Sequence, residues 1–248
     1  MTASNSAQPE LPDFISLLSE AFHGNAFFDY LHYWHIIVYS MIVVALLTLF
    51  AYFATRRTSF IPNRLQNAAE VIVGSIDDVV SGILGPAGRK YTPFIGTLFL
   101  YILGMNLLGL IPFMKSPTSD WSITLGLSIC VFVYVQYTAI RTMGVFGYID
   151  HLAGRPRGVL AFTVILPLTT FMVHLLTEFI KPISLSLRLR SNIWGEDIML
   201  AVLAGFGLKG MPLLFLNTLM ALLTAVVQAL VFTLLSTIYF ALVLTKEE

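Results

Sequence analysis

The sequence predicts an all-α protein that crosses a membrane several times, and three features carry that expectation. Of 248 residues, 57% are hydrophobic and only 11% are charged, against about 25% charged in soluble domains. Mean hydropathy is +0.82. The apolar residues fall in runs of about 20 or more, the length a helix needs to span a hydrocarbon core of about 30 Å. The pattern calls for a polytopic membrane protein of about five membrane helices, including a long tilted C-terminal helical hairpin, plus an amphipathic helix on the cytoplasmic face. Residues 1–30 read as an external N-terminal tail and 31–248 as a single membrane domain, with 159–245 forming the hairpin.

Taken in order, the first 33 residues are polar and acidic and lack the basic start and apolar core of a signal peptide. One amphipathic turn is expected around Phe14 to Phe22. Trp34 to Ala54 is the first spanning helix, with His32, Tyr33, Trp34 and His35 as an interfacial anchor. No Lys or Arg precedes Arg56, and Arg56, Arg57 and Arg64 then follow closely. By the positive-inside rule the N-terminus is outside and this end of the helix is cytoplasmic. Asn67 to Leu84 is too polar to span, but its apolar residues recur at helical spacing, as in a helix lying on the membrane surface. Gly85-Pro86 ends it, and the adjacent Asp77-Asp78 pair reads as a solvated face rather than a metal site.

Thr92 to Met114 runs outward and Trp121 to Ile140 returns, joined by an external turn, Lys115 to Asp120. Asp120 either caps the second of these helices, the preferred reading, or guards an outer vestibule, and Asn106 and Gln136 fit hydrogen bonds between helices as well as they fit an ion path. Residues 141–158 form an inner loop carrying Arg155 and Arg157. Val159 to Phe206 would be about 72 Å long if wholly helical, more than twice the hydrocarbon thickness. It either breaks into two spans or lies steeply tilted, and Pro167 and Pro182 do not decide, because membrane helices tolerate proline. A turn at 208–212 leads into Leu213 to Leu244, and Thr245 to Glu248 end the chain on the inner side.

The chemistry is concentrated in Val164 to Gly207, an apolar stretch that also carries His174, Glu178, Lys181, Arg188, Arg190, Glu196 and Asp197. A charge near a bilayer centre costs at least about 2.5–3.5 kcal/mol, so such residues face protein or water and mark an ion or substrate path. On a helical wheel His174, Lys181, Arg188 and Asn192 share one face, with Ser184 a turn before Arg188. Glu178 lies about 15 Å along the axis before Arg188 and Glu196 about 12 Å after it. Arginine keeps its proton in proteins, so it relays nothing; it attracts carboxylates and bars cations. The flanking His, Glu and Asp can relay. The arrangement is that of two ion half-paths separated by a fixed positive charge. Gln228, a strongly polar side chain inside the last apolar run, falls at a depth similar to Arg188, and either bridges helices or orients the arginine.

Several function classes are excluded or weakened. The formal net charge of +0 gives no sign of nucleic-acid binding. The lone Cys130 allows neither an internal disulfide nor a thiolate metal site. There is no GxxxxGK[ST], HExxH or GxSxG segment, so any nucleotide chemistry occurs elsewhere, and no cofactor is expected. A secondary transporter binding an anionic substrate through Arg188 is the competing class, weakened by the lack of an internal repeat. A passive channel with Arg188 as an anion-selective ring residue is a third.

The segment Lys181-Pro182-Ile183-Ser184-Leu185-Ser186-Leu187-Arg188-Leu189, followed by Asn192 and Glu196-Asp197, resembles the signature of subunit a of rotary F-type ATP synthases. Gln228 in the last helix, Gly104 to Pro112, and Asp120 with Thr124-Leu125 match in the same order, so the resemblance covers about residues 30–248. It implies a non-catalytic, ion-translocating stator subunit in which Arg188 separates two half-channels. His174, Glu178, Ser184, Asn192, Glu196, Asp197 and Gln228 would be the pathway residues. The implied partners are a ring of c subunits with one carboxylate each, a b-type peripheral stalk, the F1 sector that performs the ATP chemistry, and the lipid bilayer. The implied location is a bacterial cell inner membrane. The chain departs from the family pattern at Arg190-Ser191, where Phe-Gly is usual, and at His174, where many members carry a carboxylate. Gly109 and Ala221 stand where some members carry an acid and a titratable residue. Arg190 lies about 200° round the helix from Arg188 and should pair away from the partner ring, with Asp120 a possible partner.

Overall fold

A computed structural model describes residues 34–56, 62–111, 114–152 and 162–244. The expected external tail, the turn at 14–22, His32, Arg57, Pro112, Arg155, Arg157 and residues 245–248 lie outside the described residues. The described chain is all-helical: α1 His35–Thr55, α2 Arg64–Leu84, α3 Thr92–Gly109, α4 Trp121–Leu152, α5 Phe162–Ala204 and α6 Met211–Leu244. Short 3-10 turns at Pro86–Tyr91, Pro117–Ser119 and Gly207–Gly210 connect neighbouring helices. Four segments are long and apolar enough to cross a membrane: α1, α3 with its preceding turn, α4 and α6. The fifth long helix, α5, carries the seven ionisable side chains from His174 to Asp197. This is a polytopic membrane protein.

The amphipathic helix α2 starts three residues earlier than its apolar pattern suggests, because Asn63 Oδ1 accepts the Arg64 backbone N–H at 2.8 Å and caps it. It stops at Gly85, whose φ of +71° favours glycine. Asp77 faces the protein rather than solvent: it accepts from the Thr92 hydroxyl at 2.7 Å and pairs with Arg89 at 3.3 Å. The carboxylate thereby ties α2 to the start of α3. Val80 and Ile76 on the same face pack into the core.

Lipid is as apolar as leucine, so packing and hydrogen bonds, not the hydrophobic effect, hold the helices together. Small residues Ala221, Ala225 and Ala229, four apart on α6, are buried and allow α3 to approach closely. Asn106 of α3 donates to the Ala225 carbonyl at 3.4 Å, a helix–helix hydrogen bond of the kind expected. Toward the other end an aromatic cluster joins α3, α4 and α6: Tyr91 stacks on Phe240 at 4.8 Å, and Phe94 and Tyr134 meet edge to face at 4.6 Å. Helix α1 is attached to α3 through Tyr39, Val43 and a 2.5 Å bond between the Ser40 and Tyr101 hydroxyls. Its other face, including Leu46, Leu49 and Phe53, is exposed, as suits contact with lipid or a partner helix.

Three features add to or change the expected picture. The turn at 115–120 is packed against the helices. Pro117, Thr118 and Ser119 are buried, Ser116 donates to the Met105 carbonyl at 3.0 Å, and Thr118 donates to Asn106 Oδ1 at 2.8 Å. Its Ser and Thr hydroxyls satisfy polar groups at the end of α3 instead of reaching water. The inner loop expected from 141 is helical as far as Leu152, but α4 bends at Gly144 (φ +71°, ψ 164°). Gly144 is non-helical, so α4 is two helical stretches joined at the glycine rather than one continuous helix. Finally, Phe162–Ala204 is one unbroken helix of 43 residues, about 65 Å long, with Pro182 inside it. Its continuity rules out a break into two spans, and a rod of that length exceeds twice a core of about 30 Å. The following helix α6 has 34 residues with Pro212 in its first turn, where the missing N–H costs nothing.

Candidate functional site

Helix α5 packs between α4 and α6, and its buried stripe is Leu185, Ser186, Leu189 and Ile193. That spacing turns Ser184, Arg188 and Asn192 to the exposed side. Arg188 makes no hydrogen bond or ion pair with any described residue. Its guanidinium is an uncompensated cation on an open helix face, flanked by exposed Leu187 and Trp194. The neighbouring charged groups all lie to one side or the other along the axis.

Before Arg188, Glu178 is the centre of a polar cluster. Its carboxylate accepts from Gln136 Nε2 of α4 at 2.8 Å and is paired with Lys181 one turn on. Lys181 Nζ also sits over the Tyr239 ring of α6 at 5.3 Å. Both Glu178 and Arg188 lie within electrostatic range of the Tyr239 hydroxyl. His174, a further turn back, is half-buried. After Arg188, Asn192 donates to Gln228 Oε1 at 2.8 Å. Gln228 is 3% exposed, and its Nε2 amide has no partner among the described residues. Of the two readings of Gln228, the bridge between helices is the one seen: its partner is Asn192, one turn beyond Arg188, and not the guanidinium. Glu196 and Asp197 are both half-buried and adjacent, with Thr224 of α6 within hydrogen-bonding reach of Glu196.

The structure therefore brings Asn192 and Gln228 together, and places Glu178 apart from Glu196 and Asp197 with Arg188 between them. Sequence reasoning missed Lys181, Tyr239 and Thr224 as companions of the carboxylates. Lys181 was visible as the i+3 neighbour of Glu178; the other two lie on another helix and give no local signal.

Arg190 points the other way, as its wheel position requires. Its Nε donates to the Ser119 carbonyl at 3.1 Å, and its guanidinium covers the Trp121 ring at 4.8 Å. The Asp120 carboxylate is not the partner: it accepts the Ser122 N–H at 2.7 Å and caps α4. The carbonyl and the ring, not an ion pair, accommodate the second arginine. Arg190→Phe keeps a ring against Trp121, an aromatic contact of about 0.5–1.5 kcal/mol, and loses one hydrogen bond. The amount of the Arg190→Phe protein in membranes should fall by less than about tenfold, in keeping with a net loss near 1 kcal/mol. Its disappearance from membranes would show that the fold depends on Arg190.

Comparison with known proteins gives a consistent picture. The family model described as ATP synthase A chain matches residues 37–241. The chain is 41% identical to ATP synthase subunit a of Protochlamydia amoebophila (strain UWE25) over 248 residues, 96% of this chain and 91% of that protein. It is 36% identical to ATP synthase subunit a of Moorella thermoacetica, covering 83% of this chain and 88% of that one. Identity to ATP synthase subunit a of Helicobacter pylori (strain G27) is 34%, over 84% and 88% of the two chains.

Proposed function

Because this chain belongs to the ATP synthase subunit a family, we propose that it is the ion-conducting stator of a rotary ATP synthase. It offers two offset half-channels to the carboxylates of a turning c ring. The observation that carries this reading is Arg188: exposed, without a hydrogen-bonding or ionic partner among the described residues, and set between carboxylates on both sides along α5. A guanidinium in that position is available to a carboxylate brought up by another protein.

The chemistry follows from desolvation. A ring carboxylate passing Arg188 is held ionised by the guanidinium; to move on into lipid it must first be neutralised by an ion. The outer half-channel, through Glu196, Asp197, Asn192 and Gln228, delivers that ion. The inner one, through Ser184, Glu178 and His174, receives it on the other side. Because Arg188 neither gives up its proton nor tolerates a cation beside it, ions cannot short-circuit from one half to the other. ATP chemistry belongs to the F1 sector, and b-type stalk subunits hold this chain against the torque of the ring. The basic residues of the 56–90 region set the N-terminus outside and the C-terminus in the cytoplasm of a bacterial inner membrane. A transporter's anion site would enclose its substrate, whereas Arg188 lies on an open face.

Single cysteines in place of Glu178 and Glu196 test the layout, in a background lacking Cys130, which is itself exposed. In membrane vesicles of known sidedness, silver or a small impermeant thiol reagent should reach position 178 from the cytoplasmic side and position 196 from the opposite side. Reaction of both from one side rejects the two-half-channel reading.

A further inference from the structure

The sequence gives no reason to connect Tyr148 with Gln136. In a straight helix, residues 12 apart lie about 18 Å apart along the axis. Yet the Tyr148 hydroxyl donates to Gln136 Oε1, and the same amide donates through Nε2 to Glu178 at 2.8 Å. What makes this possible is the bend at Gly144, whose φ of +71° and ψ of 164° fold the last segment of α4 back along the first. A side chain at 144 would be strained in that conformation although nothing crowds it, so glycine is there for its backbone and not for space.

The cluster is directional. Tyr148 fixes the amide orientation of Gln136, because the carbonyl accepts from the phenol and only the NH2 remains to face α5. That NH2 and the Lys181 ammonium approach different oxygens of Glu178. The side chains of Lys181 and Glu178 are 19% and 22% exposed. A cavity of about 10 Å³ beside them is lined by Ser128, Phe132, Glu178, Lys181, Leu185 and Tyr239, close to the size of a single water. The charged and titratable groups around Glu178 are Tyr148 from α4, Lys181, His174 and Arg188 from α5, and Tyr239 from α6.

We infer that Gln136, Tyr148 and Lys181 are positioning residues for Glu178, holding its carboxylate at the α4–α5–α6 junction as the ion acceptor of the inner half-path, with the Gly144 bend completing the set. This rests on the half-channel reading above and names the parts of its inner side. An arriving proton forms an O–H bond on the Glu178 oxygen that Lys181 holds, and the ammonium then keeps its contact with the Tyr239 ring. When the proton leaves to water, Lys181 returns to the carboxylate.

The test uses the assembled ATP synthase in membrane vesicles, with passive proton conduction and ATP synthesis measured per assembled complex. Tyr148→Phe removes only a hydroxyl and Gly144→Ala only the bend. Each should slow conduction by about three- to tenfold, as expected for losing one hydrogen bond to the amide that supports a charge. Because both act through one bond, the double variant should be no slower than the worse single one. In a Glu178→Gln background, neither Tyr148→Phe nor Lys181→Gln should have any further effect. Independent, multiplying losses in the double variant, or a full-sized Tyr148→Phe effect in the Glu178→Gln background, overturn the inference. Unchanged conduction in both single variants also overturns it. An Arg188→Ala control separates the two failures: ATP synthesis by that control defeats the stator reading itself, whereas its loss there leaves a failed test charged to the Glu178 cluster alone.

Discussion

Replacing Arg188 by alanine should abolish proton-driven ATP synthesis while leaving the complex assembled. The side chain is exposed and makes no hydrogen bond or ion pair with any described residue, so its removal breaks no contact of that kind in the described fold. What it removes, in the proposed stator, is the positive charge that meets the ring carboxylate. A carboxylate left unpaired at such depth costs about 2.5–3.5 kcal/mol, which corresponds to a loss of about a hundredfold or more in coupled turnover. Passive leak through the membrane sector should rise at the same time, because the barrier between the half-channels is gone. Arg188→Lys should also be poor, since an ammonium lacks the planar fork that engages a carboxylate with two hydrogen bonds. Synthesis in inverted vesicles and proton leak after removal of the ATPase sector measure both effects. Wild-type synthesis by the alanine variant would end the stator proposal.

Gly109→Asp, which supplies the acid that some family members carry, should prevent stable assembly. A Cβ at Gly109 would lie 2.6 Å from Ser116 Cβ and 3.2 Å from the Ser116 backbone. Ser116 cannot retreat, because it is buried and bonded to the Met105 carbonyl and to Thr118. Overpacking of this kind costs about 1–3 kcal/mol before the desolvation of a carboxylate is added. Immunoblots of membranes and of the purified complex should show several-fold less of this chain than wild type. Full assembly with normal activity would mean that the turn at 116–119 yields easily, contrary to its hydrogen bonding. The inward-folded turn thus explains why the position is glycine in this chain.

The helices, their order and the placement of Arg188 between carboxylates could be read from the sequence because they depend on local pattern: apolar runs, basic flanks and a repeat near 3.6 residues. The direction of Arg190 followed from the same geometry. Its partners did not, because a backbone carbonyl and an indole ring at 119 and 121 leave no mark that distinguishes them from Asp120 between them. The bend at Gly144 was hidden for a related reason. A lone glycine in a helical stretch is compatible with a straight helix, and only the return of Tyr148 to Gln136 reveals what it does. Likewise the Ser-Pro-Thr-Ser composition of the turn at 116–119 reads as solvent-facing until the hydroxyls are seen bonded to α3.

The length of α5 has an electrical consequence. A rod of about 65 Å held within about 30 Å of hydrocarbon leans at least about 60° from the membrane normal. Glu178 and Glu196 are about 27 Å apart along it, so they differ by only about 13 Å in depth but by about 24 Å sideways. In a uniform field, a membrane voltage of 100 mV acts on a unit charge with about 2.3 kcal/mol in total, of which only about 1 kcal/mol falls across that difference in depth. In the proposed stator, the larger part of the voltage then drops along the two half-paths, where it raises the ion concentration at the inner end of one and lowers it at the inner end of the other. On that reading the tilt converts voltage into local ion concentration, so that an electrical and a chemical gradient act on the proposed ring in the same way.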